Sequence, residues 1–181
     1  MALIAQSLIL SAADLVVQSA GPIGTYGSIG AAVTAASDGD RVIINNASDG
    51  SAWTEDISID KSLTLLSAVD SGRFKVIGDY TIVHAPGREV NIIGMDNRNG
   101  SILAGAAGTV SRTVINIMWL DLRGGQINVD EPYFELNLAN SNLYGGDVYF
   151  THGSIIGNNF RNHSIVSVSY THLTLPTTPY V

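Results

Sequence analysis

Apolar residues in this chain come in short bursts, and their spacing changes once, early. Ile29, Ala32, Val33 and Ala36 recur at the three- and four-residue spacing of one helix face, with Ser28 placed to cap it. Ser37-Asp38-Gly39-Asp40 ends that pattern with turn chemistry. From there the period is two. Arg41-Val42-Ile43-Ile44 is short and β-branched and predicts a strand. Asn45–Trp53 reads as a polar loop. Ile57-Ser58-Ile59 and Leu63-Thr64-Leu65 alternate as half-buried strands do, with Asp60-Lys61 turning between them. Phe74–Ile77, Tyr80–Val83, Val90–Ile93 and Ile102–Leu103 continue the series.

The later bursts repeat. Four segments fall into register on Gly100, Gly125, Gly146 and His163: Met95–Ile102, Leu120–Ile127, Ser141–Val148 and Asn158–Ile165. The steps are 25, 21 and 17 residues. Each suits one rung of a coil of short strands, whose turns absorb extra residues without disturbing the stack. A leucine-rich solenoid would need a Leu-x-x-Leu-x-Leu frame and a hexapeptide solenoid a strict step of six; the sequence has neither. The Asp-Gly pairs at Asp38 and Asp49 run on into polar residues, which argues against the two-residue hairpins of a β-sandwich.

The 181 residues suffice for one domain with a sizeable core. Only 14% of them are charged, and Gly, Asn, Ser and Thr fill the difference, as many tight turns require. The net charge of -7, with only two lysines, offers no basic stripe for nucleic acid or an anionic membrane. An anionic polysaccharide would need a local Arg cluster to overcome the overall field. With no Cys there are no disulfides and no thiolate sites.

Both ends depart from the pattern. Residues 1–13 read as a truncated signal peptide: Leu3–Leu10 is mostly apolar and Ser11-Ala12-Ala13 offers small residues for cleavage, although no basic segment precedes them. The run is too short to span a bilayer. A buried first strand is the competing reading. Residues 169–181, SYTHLTLPTTPYV, look like a translated sequencing-adapter tail, with a native Thr/Pro-rich linker as the alternative. The expected domain is therefore residues 14–168, incomplete at its C-terminal side.

The Tyr26–Leu66 stretch resembles the opening of right-handed parallel β-helix proteins of the pectin-lyase-like superfamily. The helix at Ile29–Ala36, Gly39-Asp40 before Val42–Ile44, Trp53-Thr54-Glu55-Asp56 before Ile57, and Asp60–Leu65 carry the resemblance. Asn46–Gly50 departs from it where Pro-Gly-x-Tyr often stands. The resemblance implies an all-β, right-handed solenoid with a short N-terminal capping helix, and the N-terminal fragment of a secreted bacterial surface protein. It implies no single reaction, because the superfamily includes lyases, hydrolases, esterases, adhesins and phage spikes.

Two groups of residues are candidates for chemistry. Asp96 with Arg98 and Asp121 with Arg123 repeat an Asp-x-Arg pair. On successive rungs, equivalent positions lie roughly 5 Å apart. Two carboxylates that close could bind Ca²⁺, share a proton or divide acid and base roles, and an Arg beside them could hold a sugar carboxylate. Polysaccharide lyases of this fold use Ca²⁺-binding acids and an Arg base, which the resemblance would extend to these four residues. The bland reading is that Asp96, Asp121, Asn142 and Asn159 stack at one turn and satisfy each other and the backbone. The change from Asp to Asn along that ladder favours it. Asp38, Asp40, Asp49, Glu55 and Asp56 crowd the first rung as a candidate Ca²⁺ site, or as a solvated loop.

No other motif supports a cofactor, and no His pair has ligand spacing. Trp53, Trp119, Tyr133, Tyr144 and Tyr149 could form a sugar-stacking strip, with Trp119 expected in the core because it ends the apolar run Val114–Leu120. The residues together point to a secreted or cell-surface rod, monomeric and non-catalytic, for adhesion or polysaccharide contact. A truncated polysaccharide lyase or hydrolase is the alternative.

Overall fold

The period-two bursts fold as strands of three parallel sheets that the chain visits in rotation. A computed structural model describes residues 12–70, 72–105, 111–162 and 164–169. Six coils follow one another, each giving one strand to each sheet. The first sheet takes β2 (Arg41–Ile44), β5 (Leu63–Ser67), β8 (Glu89–Ile93), β11 (Thr113–Met118), β14 (Phe134–Ala139) and β17 (Gly153–Ile156). The second takes β3 (Trp53–Thr54), β6 (Phe74–Ile77), β9 (Met95–Arg98), β12 (Asp121–Arg123), β15 (Asn142–Tyr144) and β18 (Asn159–Arg161). The third takes β4 (Ile57–Ile59), β7 (Tyr80–Ile82), β10 (Ile102–Ala104), β13 (Gln126–Val129), β16 (Asp147–Phe150) and β19 (Val166–Val168). One further strand, β1 (Asp14–Val17), pairs with β2 ahead of the first coil. The expected parallel β-helix is thus observed.

Each strand buries alternate residues inside the coil. The column Leu15, Val42, Leu65, Ile92, Ile117 and Leu138 runs along the first sheet in register, all of it buried. The column Ile57, Tyr80, Ile102, Ile127 and Val148 does the same along the third. On the outer face of the first sheet the register is reinforced by side chains. Asn91 donates to Thr64 Oγ1 (3.3 Å), Asn116 to Asn91 (2.9 Å), Asn137 to Asn116 (3.0 Å) and Ser154 to Asn137 (2.9 Å).

The helix α1 (Ile29–Ala35) covers the N-terminal end of the stack, packing on β1, β2 and β4. Ser28 Oγ accepts the amide of Ala31, and both oxygens of Glu55 accept the amides of Ile29 and Gly30 at 3.0 and 2.9 Å. Lys61 Nζ donates to the free carbonyls of Val33 and Thr34 at the other end. A seven-residue helix is marginal alone, so these contacts and the burial of Ile29, Ala32 and Val33 hold it.

Glycines allow the coils to approach at the corner between the second and third sheets. A Cβ on Gly78 would lie 2.0 Å from Glu55 O, one on Gly100 1.9 Å from Gly78 O, and one on Gly125 2.1 Å from Gly100 O. Gly100 and Gly125, which align the repeat in the sequence, are therefore positions where backbone rests on backbone.

Three details differ from the sequence expectation. Trp53 and Thr54 form a short strand where the polar composition predicts a loop through Trp53, because the partner strand β6 continues there. In the last coil Val166, not Ile165, stands opposite Val148. Four residues separate Arg161 from Val166, against three between Tyr144 and Val148, so the strand enters one residue late. Trp119 is 46% exposed rather than buried. The signal-peptide reading falls almost wholly on residues outside those described, as do the tail after Ser169 and the aligned His163.

The Tyr80 hydroxyl is buried with no hydrogen-bond partner among the described residues, and burial pushes the phenol far above its ordinary range. Tyr80→Phe removes a desolvated polar atom and keeps the ring, so it should stabilise the fold by about 1 kcal/mol, read as a higher denaturant midpoint.

Candidate functional site

The candidate Asp-x-Arg pairs come together on the outer face of the second sheet. Two outward columns run along it. One is Lys75, Asp96, Asp121, Asn142 and Asn159, in register. The other includes Arg98, Arg123, Tyr144 and Arg161, also in register. The ladder expected from the sequence is therefore present, but on strands rather than at a turn.

Asp96 and Asp121 are nearly covered, and their carboxylates are held by guanidinium groups. Asp96 Oδ2 accepts from Arg98 Nη2 at 2.9 Å, and Oδ1 from Arg123 Nε at 2.9 Å. Arg123 Nη2 also reaches Asp121 Oδ2 at 3.4 Å, so one guanidinium links both acids. Hydrogen bonding to Asp96 pushes Arg123 above its ordinary range. Asp121 Oδ1 accepts from Asn142 Nδ2 at 2.7 Å and lies 3.4 Å from Arg73 Nε. Arg73 reaches Trp119 O from two coils away (2.9 Å), crossing the position where Gly94 has no side chain. The Tyr144 ring has Arg123 at 5.2 Å on one side and Arg161 at 5.7 Å on the other.

Charge is the distinctive property of this face. Of nine Lys and Arg residues in the chain, five lie on or beside it: Arg73, Lys75, Arg98, Arg123 and Arg161. With two carboxylates among them the local balance is positive, in a chain of net charge -7. Arg98 and Arg123 expose nearly half their side chains, so donors remain for a ligand. No carboxylate on the face stands free of a cation as a ready general base, among the described residues.

The first-rung acids are spread apart, and each holds backbone amides. Asp38 accepts Ser62 N at 2.6 Å, Asp49 accepts Ser51 N at 2.8 Å, and Asp56 accepts Asp79 N at 2.9 Å. Glu55 caps α1. Asp40 takes Ala13 N at 2.7 Å and Ser37 N at 2.8 Å, which holds its carboxyl below the usual range. Among the described residues no group of three or more His, Cys, Asp or Glu side chains is gathered as a metal site would need.

The two bonds to Asp40 make a pH-dependent contribution. A depressed carboxyl stabilises the fold above its unfolded value and loses that effect as pH falls through its folded value. Asp40→Ala should therefore cost about 2 kcal/mol at pH 7, and the difference from the wild-type chain should shrink as acid protonates Asp40. Urea midpoints of the two proteins measured from pH 7 down to pH 3 check it.

Sequence reasoning missed Arg73, Lys75 and Arg161 as members of the face, and named Tyr144 only within a candidate sugar-stacking strip. The register offered a signal for the last two, since Tyr144 and Arg161 stand at the Arg98 position in their segments. No protein-family model, curated protein or solved structure matches this chain. No helix among the described residues is long and apolar enough to cross a membrane.

Proposed function

We propose that this is a secreted or cell-surface, non-catalytic β-helical rod of the pectin-lyase-like kind, which uses the outer face of its second sheet to contact an anionic polysaccharide. The observation that carries the reading is the gathering of five cations on one face of an acidic protein. A planar guanidinium suits bidentate contact with carboxylate or sulfate groups, and a ladder of them at strand spacing suits a repeating polymer. Tyr144 adds an aromatic surface within the row. The pairing of Asp96 and Asp121 with arginines supports binding rather than acid–base work.

Affinity electrophoresis through gels containing polygalacturonate, alginate or a neutral glucan tests this. The acidic polymers should retard the protein more than the neutral one, and raising NaCl from about 20 to 300 mM should relieve the difference, since screening shortens the reach of exposed charge. Equal mobility in all three gels would sink the proposal.

A further inference from the structure

At the corner between the first and second sheets, equivalent positions of successive coils are Gly94, Trp119, Asn140 and Gly157. All four have positive φ, from 51 to 71 degrees. Glycine and Asn occupy that left-handed region at little cost, whereas a bulky aromatic residue there is a conformational outlier. The fourth coil thus carries backbone strain at a position where its neighbours avoid it, and the side chain so placed is 46% exposed, which leaves the strain uncompensated by burial in the core. Trp119 lines a cleft of about 110 Å³ together with the apolar residues Leu66, Val69 and Ile93 and the polar residues Ser67 and Asp70. Gly94 also lines it, where a Cβ would lie 2.7 Å from Gly72 O and 3.3 Å from Ser67 Cβ. The carbonyl of Trp119 is held by Arg73, which also contacts Asp121 on the cationic face.

The geometry points to Trp119 as a stacking platform for one pyranose ring of the glycan, seated in this cleft at the edge of the cationic face. This rests on the polysaccharide reading above and adds its anchor. A pyranose presents an apolar C–H face that matches an indole, and hydroxyls at its rim that match Ser67 and Asp70. A chain seated there continues directly onto Arg73 and the arginine row. Metal and acid–base chemistry play no part in it.

The test uses Trp119→Gly and Trp119→Tyr in the full 181-residue chain. Glycine relieves the left-handed strain, so Trp119→Gly should melt no lower than the wild-type protein. It should lose about tenfold in affinity for oligogalacturonate by calorimetry, while Trp119→Tyr should retain most of it. Saturating oligogalacturonate should also protect wild-type indole fluorescence from acrylamide, because the other tryptophan, Trp53, is already buried. Undiminished affinity in Trp119→Gly, or unchanged quenching with oligogalacturonate bound, overturns the Trp119 site and leaves the cationic-face reading standing. A wild-type chain that binds no acidic glycan overturns both.

Discussion

Gly100→Ala should destabilise the protein by about 3 kcal/mol or more, a large share of the total stability of an ordinary domain. The new Cβ would lie 1.9 Å from Gly78 O and 2.6 Å from its carbonyl carbon. Neither neighbour is a flexible side chain that can swing aside. To relieve the overlap the second and third coils must separate at this corner. That would stretch the ladder bonds on both sides, including the amide of Tyr80 to Ser101 O at 2.8 Å. Gly39→Ala is the matching control. Gly39 has φ of +89 degrees, but an added methyl group there would meet nothing within 4 Å, so only the local backbone cost of about 1 kcal/mol applies. Urea midpoints for the two variants should therefore differ clearly. Equal midpoints would mean that the corner is looser than its carbonyl contacts require.

The largest functional effect should come from replacing Arg98, Arg123 and Arg161 together with Gln. Affinity for polygalacturonate should fall about 100-fold, and its salt dependence should flatten, because three of the five cations on the face are gone. Stability should fall as well, by about 1–3 kcal/mol, because Asp96 is nearly covered and loses both guanidinium partners, although Gln can still donate to it. Calorimetry and thermal melting on the same samples separate the two effects. A competing outcome is equally readable. If the wild-type face prefers duplex DNA to acidic glycan at matched ionic strength, it serves a different class of ligand. The two acids in the column beside the arginine row and the overall negative charge argue against that outcome.

The helix and most strands were legible because each is a local pattern. Ser28 before a four-residue apolar stripe, and alternating triplets such as Ile57-Ser58-Ile59, need no long-range information. The ladder of Asp96, Asp121, Asn142 and Asn159 was legible because a glycine follows each of its first three members at a fixed distance, two of them, Gly100 and Gly125, held by close backbone contact. The Thr64–Ser154 ladder on the first sheet shares the steps of 25, 21 and 17 residues but was hidden, since no glycine marks its register and each member sits inside an ordinary alternating strand. Trp119 misled for a physical reason. It follows an apolar run, yet the chain turns there through a left-handed corner that carries the side chain out of the core. The cationic face was obscure because its members are scattered along the sequence and one of them, Arg73, reaches it only by crossing Gly94.

The direct test of a binding face without turnover is to incubate the protein with polygalacturonate and with alginate, each with and without Ca²⁺, and follow ultraviolet absorbance from unsaturated sugar ends. A non-catalytic rod predicts retention of the polymer by the protein and a flat absorbance trace in all four mixtures. A rising trace that is lost in Arg123→Gln would contradict it and make the second-sheet face a lyase active site.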